Sequence, residues 1–125
     1  MDPSHTRIVL RHLSGSRATE IDVIAMGAHR ELILGRATSA AVRFDPRRDP
    51  DVGRQHARLE HVEGTWEFRI ADLASRNGTW VNGVRVREPV TLRGGDVIRL
   101  GESGPELEVL IEVEPAMAGR SDTAS

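Results

Sequence analysis

Three short polar segments hold the side chains of this chain best suited to gripping an anion. They are Gly35-Arg36, then Val52-Gly53-Arg54-Gln55-His56, then Asp72-Leu73-Ala74-Ser75-Arg76-Asn77-Gly78. A guanidinium presents a planar fork of donors that can hold two oxygens at once, and a hydroxyl adds one more donor. A phosphate monoester carries roughly −1.5 to −2 charge and three acceptor oxygens. Arg36, Arg54, Ser75 and Arg76 are complementary to such a group, provided that their segments meet in space. The amide of Asn77 both donates and accepts, which suits a peptide backbone better than a phosphate.

The distribution of charge supports this reading. Net charge over the 125 residues is −2, which argues against general nucleic-acid binding. Residues 36–58 hold six Arg against three Asp, and residues 69–99 hold six Arg against two Asp and one Glu. Residues 102–114 hold five Glu and no base. The basic excess therefore lies in the segments that carry the candidate site. All 17 basic residues are Arg, a usage expected of a GC-rich bacterial genome, so every fixed cation is a bidentate fork. Cysteine is absent, which removes disulfides, thiolate metal sites and thiol nucleophiles. There is no apolar run of transmembrane length and no signal-peptide pattern at the N-terminus, so a cytoplasmic location is expected.

The segments that must position these side chains read as short strands. Candidates are 7–11, 20–24, 31–34, 41–44, 57–62, 66–71, 79–81, 84–86, 96–100 and 107–113. Alternation places Trp66, Phe68 and Ile70 on one face of their strand. Asn82-Gly83 between two β-prone runs is a hairpin signal, read as turn chemistry alone. No window keeps a helical apolar period. About ten or eleven strands with turns every 8–12 residues predict an all-β antiparallel sandwich, whose loops gather at the ends of a rigid frame. Residues 1–6 read as an extension, 7–113 as one domain, and 114–125 as a disordered tail or linker.

Gly35-Arg36, His56, Asn77-Gly78, Asn82-Gly83 and Gly95-Asp96-Val97-Ile98 stand in the order and spacing that resembles a forkhead-associated (FHA) domain, over roughly residues 7–113. The resemblance implies an eleven-stranded β-sandwich that binds phosphothreonine peptides in Ser/Thr-kinase signalling, with a kinase or its substrate as partner. It implies that Arg36 binds the phosphate, that Arg54 lies at its edge and that Asn77 holds the peptide main chain. It also makes His56 a structural brace and gives threonine its preference through a small pocket for the γ-methyl. Two positions depart from the family pattern. Gly53 stands where a phosphate-binding Ser is usual, and Arg76 where Thr or Ser is common. A lost hydrogen bond to a charged group is worth about 1.5–3 kcal/mol, a sizeable part of a micromolar affinity near about −8 kcal/mol. The Arg76 guanidinium and the N–H of Gly53 are the expected compensation.

Each of these residues has a plainer reading. Arg36 alone is a solvated turn residue; within the full pattern it is a ligand contact. His56 lacks the neighbours of a metal site, and no cofactor is expected. Ser75 either touches ligand or braces its own loop. Arg47-Arg48, between two Asp-Pro pairs, reads as a self-paired surface loop, and Trp80 as packing. Asp72, His56 and Ser75 make a nominal catalytic triad, but no nucleophile elbow or Gly-rich phosphate loop accompanies them, so catalysis is not expected. A phosphate-independent assembly surface on the same fold is the alternative that Gly53 favours. A nucleic-acid binder would need an aromatic-interleaved basic stripe, and two Trp, two Phe and no Tyr supply little of one; no membrane partner is expected either.

Overall fold

The computed structural model describes residues 6–25 and 31–113; the tail assigned to 114–125 lies outside them. The described chain is all β and has no helix, so none is long and apolar enough to cross a membrane. Eleven strands follow in order: β1 (Thr6–His12), β2 (Ile21–Ala25), β3 (Glu31–Gly35), β4 (Val42–Arg43), β5 (Ala57–His61), β6 (Phe68–Asp72), β7 (Thr79–Val81), β8 (Val84–Arg85), β9 (Val90–Leu92), β10 (Val97–Leu100) and β11 (Glu106–Val113). They form a six-stranded sheet, β2-β1-β11-β10-β7-β8, and a five-stranded sheet, β4-β3-β5-β6-β9.

Alternation builds the core between the sheets. Ile8, Leu10, Ile98, Leu100, Leu107 and Val109 come from the first sheet, and Leu32, Leu34, Ala57, Leu59, Phe68 and Ile70 from the second. All are buried, while Arg7, Arg11, Glu108 and Glu112 of the alternate positions point outward. The register sets Arg7 opposite Glu112 and Arg11 opposite Glu108, and each pair forms an ion pair. The acidic C-terminal strand is thus neutralised within its own sheet, away from the arginine-rich loops.

Four expectations change. β9 is an additional strand: its three residues, between Pro89 and the turn at Arg93, are too few to show a period. β3 and β4 pair in parallel, a register that alternation cannot reveal. Trp66 does not share the buried face of Phe68 and Ile70, because β6 begins only at Phe68. It is 45% exposed, in the turn where the Val62 N–H donates to the Glu67 carbonyl. Asn82 does more than turn the chain. It and Gly83 both take positive φ (52° and 81°), as a tight hairpin requires. Its amide also donates to Asp96 at 2.9 Å and accepts the Val97 N–H at 2.9 Å, tying the β7–β8 turn to the start of β10.

These placements separate the two apolar residues experimentally. Ile70→Ala should cost about 2–5 kcal/mol of unfolding free energy, as for a cavity in a packed core. Trp66→Ala should cost less than about 1 kcal/mol, as for a surface change. Denaturant unfolding of both variants checks this; a Trp66→Ala loss equal to that of Ile70→Ala would contradict the burial described.

Candidate functional site

The loops after β3, before β5 and after β6 meet at one end of the sandwich, joined by backbone hydrogen bonds. The Arg36 N–H donates to the Gly53 carbonyl at 2.9 Å, and the Ala37 N–H to the Arg54 carbonyl at 3.0 Å. Gly35 makes this approach possible. A Cβ there would lie 2.0 Å from the Arg54 carbonyl oxygen, so any side chain would force the two segments apart. The third loop joins through His56, which is wholly buried. Its Nδ1 accepts the Gly53 N–H at 2.9 Å and its Nε2 donates to the Gly78 carbonyl at 2.7 Å. That pattern fixes the neutral tautomer with the proton on Nε2.

The loop after β6 is braced from within. Asp72 accepts the hydroxyls of Ser75 and Thr79 and the Ser75 N–H, and the Ser75 hydroxyl oxygen in turn accepts the Gly78 N–H at 2.9 Å. The Ser75 hydroxyl therefore takes the bracing role of its two readings. Gly78 has φ of 85°, and Trp80 lies against it, with ring atoms 2.9 Å from where a Cβ would stand. Trp80 is packing, as read from the sequence, with the guanidinium of Arg85 5.3 Å and that of Arg99 4.8 Å from its ring centre. The nominal triad does not form: the His56 ring bonds to Gly53 and Gly78, and Asp72 to Ser75 and Thr79.

On this frame sit the candidate ligand contacts. The Arg36 Nε donates to the Val52 carbonyl, which steadies the stem of its fork. Arg54 and Arg76 are exposed, and among the described residues none of Arg36, Arg54 and Arg76 has a carboxylate partner. Asn77 is exposed, with its amide nitrogen donating to the Asp51 carbonyl at 3.0 Å, so the side chain is held beside the second loop and its oxygen has no hydrogen-bond donor among the described residues. One expectation fails: the Gly53 N–H, proposed as a compensating donor, is committed to the His56 ring. The space beside Gly53 is open, since a Cβ would meet nothing closer than 3.7 Å and the backbone is not in the left-handed region.

Two carboxylates near this end, Asp45 and Asp49, are engaged in contacts that sequence reasoning missed. Asp49 is buried and holds the backbone and hydroxyl of Ser16. Asp45 accepts the N–H groups of Arg47 and Arg48. The Arg47-Arg48 loop is therefore self-paired through its backbone and not through its side chains: among the described residues neither guanidinium forms an ion pair with a carboxylate. A cleft of about 490 Å³, lined by Arg17, Arg43, Phe44 and Arg48, and another of about 410 Å³, lined by Arg48, Asp51 and Pro105, open beside the loops. Neither is lined by Arg36, Arg54, Arg76 or Asn77.

Burial pushes the His56 ring below its ordinary pKa, against the opposing pull of the Gly78 carbonyl and the carboxylates of Asp72 and Asp51. Burial alone would raise Asp72, but hydrogen bonds from Ser75 and Thr79 prevail and hold it below the usual carboxylate range. The unfolded chain thus takes up the His56 proton first, and stability falls as pH drops below about 6.5. Asp72 adds its own loss only below about pH 4. An NMR titration should find the His56 ring neutral down to below pH about 6.5, and a ring that protonates above that value would contradict the brace. Gly35→Ala should cost about 1–3 kcal/mol, as for overpacking, while Gly53→Ala should stay within about 0.5–1 kcal/mol of wild type. Thermal unfolding distinguishes them, and equal losses would count against the loop contact.

Residues 32–101 match the FHA domain family model. FhaA of Mycobacterium tuberculosis, an FHA domain-containing protein, is 42% identical over 74 residues, covering 57% of this chain and 12% of that protein. The chain spans only 2–12% of the length of the curated relatives it matches. Among solved structures, an FHA domain studied for phosphothreonine-dependent interactions is 31% identical with a TM-score of 0.67, over 83% of this chain and 95% of that one. The FhaA FHA domain, solved with the intracellular domain of another protein, is 30% identical with a TM-score of 0.65, over 82% and 98%. Fold and family match agree: this chain belongs to the FHA domain family, whose members are interaction modules.

Proposed function

We propose that this domain, taken as residues 7–113, binds a phosphothreonine peptide at the three joined loops and so recruits a phosphorylated protein. The observation that carries the reading is that three arginines, Arg36, Arg54 and Arg76, stand on loops fixed to one another, with none of them neutralised by a carboxylate among the described residues. Arg36, with its stem anchored to Val52, supplies the principal fork to the phosphate. Arg54 and Arg76 contribute from either side, and Asn77 aligns the peptide main chain through its carbonyl. Gly35, His56, Ser75 and Gly78 hold the loops and make no contact with ligand. The relative studied for phosphothreonine-dependent interactions supports the ligand class. The partner is a Ser/Thr kinase or its substrate in the cytoplasm of a bacterium, consistent with the lysine-free composition. The domain itself makes and breaks no bonds.

The second reading, a phosphate-independent interaction surface, is favoured by Gly53, which lacks a hydroxyl and has already given its N–H to His56. Calorimetric titration with matched phosphothreonine and unphosphorylated peptides separates the two. Phosphate-dependent binding that Arg36→Ala reduces at least about tenfold, the loss of a hydrogen bond to a charged group, is the expected result. Equal binding of both peptides would establish the second reading. Gly53→Ser fits the open space and should tighten phosphopeptide binding about tenfold. No gain would mean that this position does not face the phosphate.

A further inference from the structure

One row of side chains crosses the outer face of the six-stranded sheet and ends beside the candidate site. The register sets Glu106 opposite Arg99, Arg99 opposite Trp80, and Trp80 opposite Arg85. Charges and ring alternate along it: Glu106 lies 4.0 Å from Arg99, and the Arg99 and Arg85 guanidiniums both lie over the Trp80 ring. At the inner end a carboxylate neutralises Arg99. At the outer end, on edge strand β8, Arg85 has no carboxylate partner among the described residues and is exposed.

Arg85 is also directed at the ligand loop. Its terminal nitrogen lies 3.1 Å from the point where a Cβ on Gly78 would stand, next to Asn77. The Val86 N–H donates to the Thr79 carbonyl at 2.8 Å, which extends the hairpin ladder and brings Arg87, also exposed, opposite Gly78. Residues 73–95 hold four arginines and one acid, Glu88. Stacking on Trp80 restricts the Arg85 fork, so less freedom is lost when it grips an anion.

We infer that Arg85, stacked on Trp80 and assisted by Arg87, is a second anion subsite that selects peptides carrying an acidic group on the side that runs past Asn77. The inference rests on the phosphothreonine reading and extends it to sequence preference. A carboxylate and a second phosphate share the required chemistry: both are oxyanions able to accept two parallel N–H bonds.

The test uses the full chain and four phosphothreonine peptides. One has neutral flanks, one has three Glu on the N-terminal side, one has three Glu on the C-terminal side, and one has a second phosphothreonine in place of the better Glu triplet. One of the two Glu peptides should bind about fivefold tighter than the neutral one, the worth of a favourable exposed charge contact. That ratio should fall to near one in Arg85→Gln and persist in Arg48→Gln, which alters a cation of the neighbouring clefts. In a Trp66→Phe background the favoured peptide should shift Trp80 emission more than the neutral one does. The doubly phosphorylated peptide distinguishes the source: the tighter of the two ligands is the natural class. Equal affinity for neutral and Glu peptides, or an unchanged ratio in Arg85→Gln, overturns the subsite and leaves the phosphothreonine reading standing. Failure of the neutral phosphopeptide to bind better than its unphosphorylated form overturns both.

Discussion

The imidazole of His56 is the contact on which the ligand end of this domain depends. It is buried, neutral and bonded at both nitrogens, one to each of the two loops that run on from the paired ends of β5 and β6. A neutral His is suited to this place because it offers one acceptor and one donor at opposite edges of a rigid ring. A protonated ring would turn its acceptor toward the Gly53 N–H as a second donor, and both bonds could not persist. With the Arg36–Gly53 backbone bond and the pairing of β3, β5 and β6 behind it, the ring ties the three turns into one surface. Without it, the Gly53 N–H and the Gly78 carbonyl would lose their shared partner, and the loops that carry the arginines would have more freedom to lose on meeting a ligand.

The electrostatic character of that surface follows from where the acids go. Asp72 holds two hydroxyls, Asp49 is buried against Ser16, and Asp45 accepts two backbone N–H groups. Glu108 and Glu112 of β11 pair with arginines of β1. These carboxylates are engaged in structural work, and among the described residues none forms an ion pair with Arg36, Arg54 or Arg76. A chain with net charge −2 can in this way present a cationic end.

Much of this was legible in the sequence, for reasons that differ by residue. Strands such as Thr6–His12 and Ala57–His61 are β-prone runs of five or more residues, so their existence could be read directly, although Ile8-Val9-Leu10 alternates only loosely. Gly35, Asn77 and Gly78 lay in segments whose turn chemistry is local. What could not be read was anything fixed by partners distant in the chain. The bond from Gly53 to His56 uses an N–H that sequence reasoning assigned to ligand. The brace at Asp72 looked like one third of a triad because Ser75 and His56 are its natural suspects, whereas Thr79 is its actual second partner. Trp66 follows the alternation of β6 on paper but precedes the strand in space. The row from Glu106 to Arg85 requires the register of four strands, which no periodicity supplies.

The most direct measurement is amide and side-chain NMR of the isotope-labelled domain, recorded with a phosphothreonine peptide and with its unphosphorylated counterpart. A single anion site built on the His56 brace predicts phosphate-dependent shifts concentrated in residues 35–37, 51–56 and 73–78, including the Arg36 Nε–H, with the His56 ring perturbed but still neutral. Shifts that are identical for the two peptides, or that fall on the outer face of β1, β2 and β11 while these loops stay silent, would contradict it.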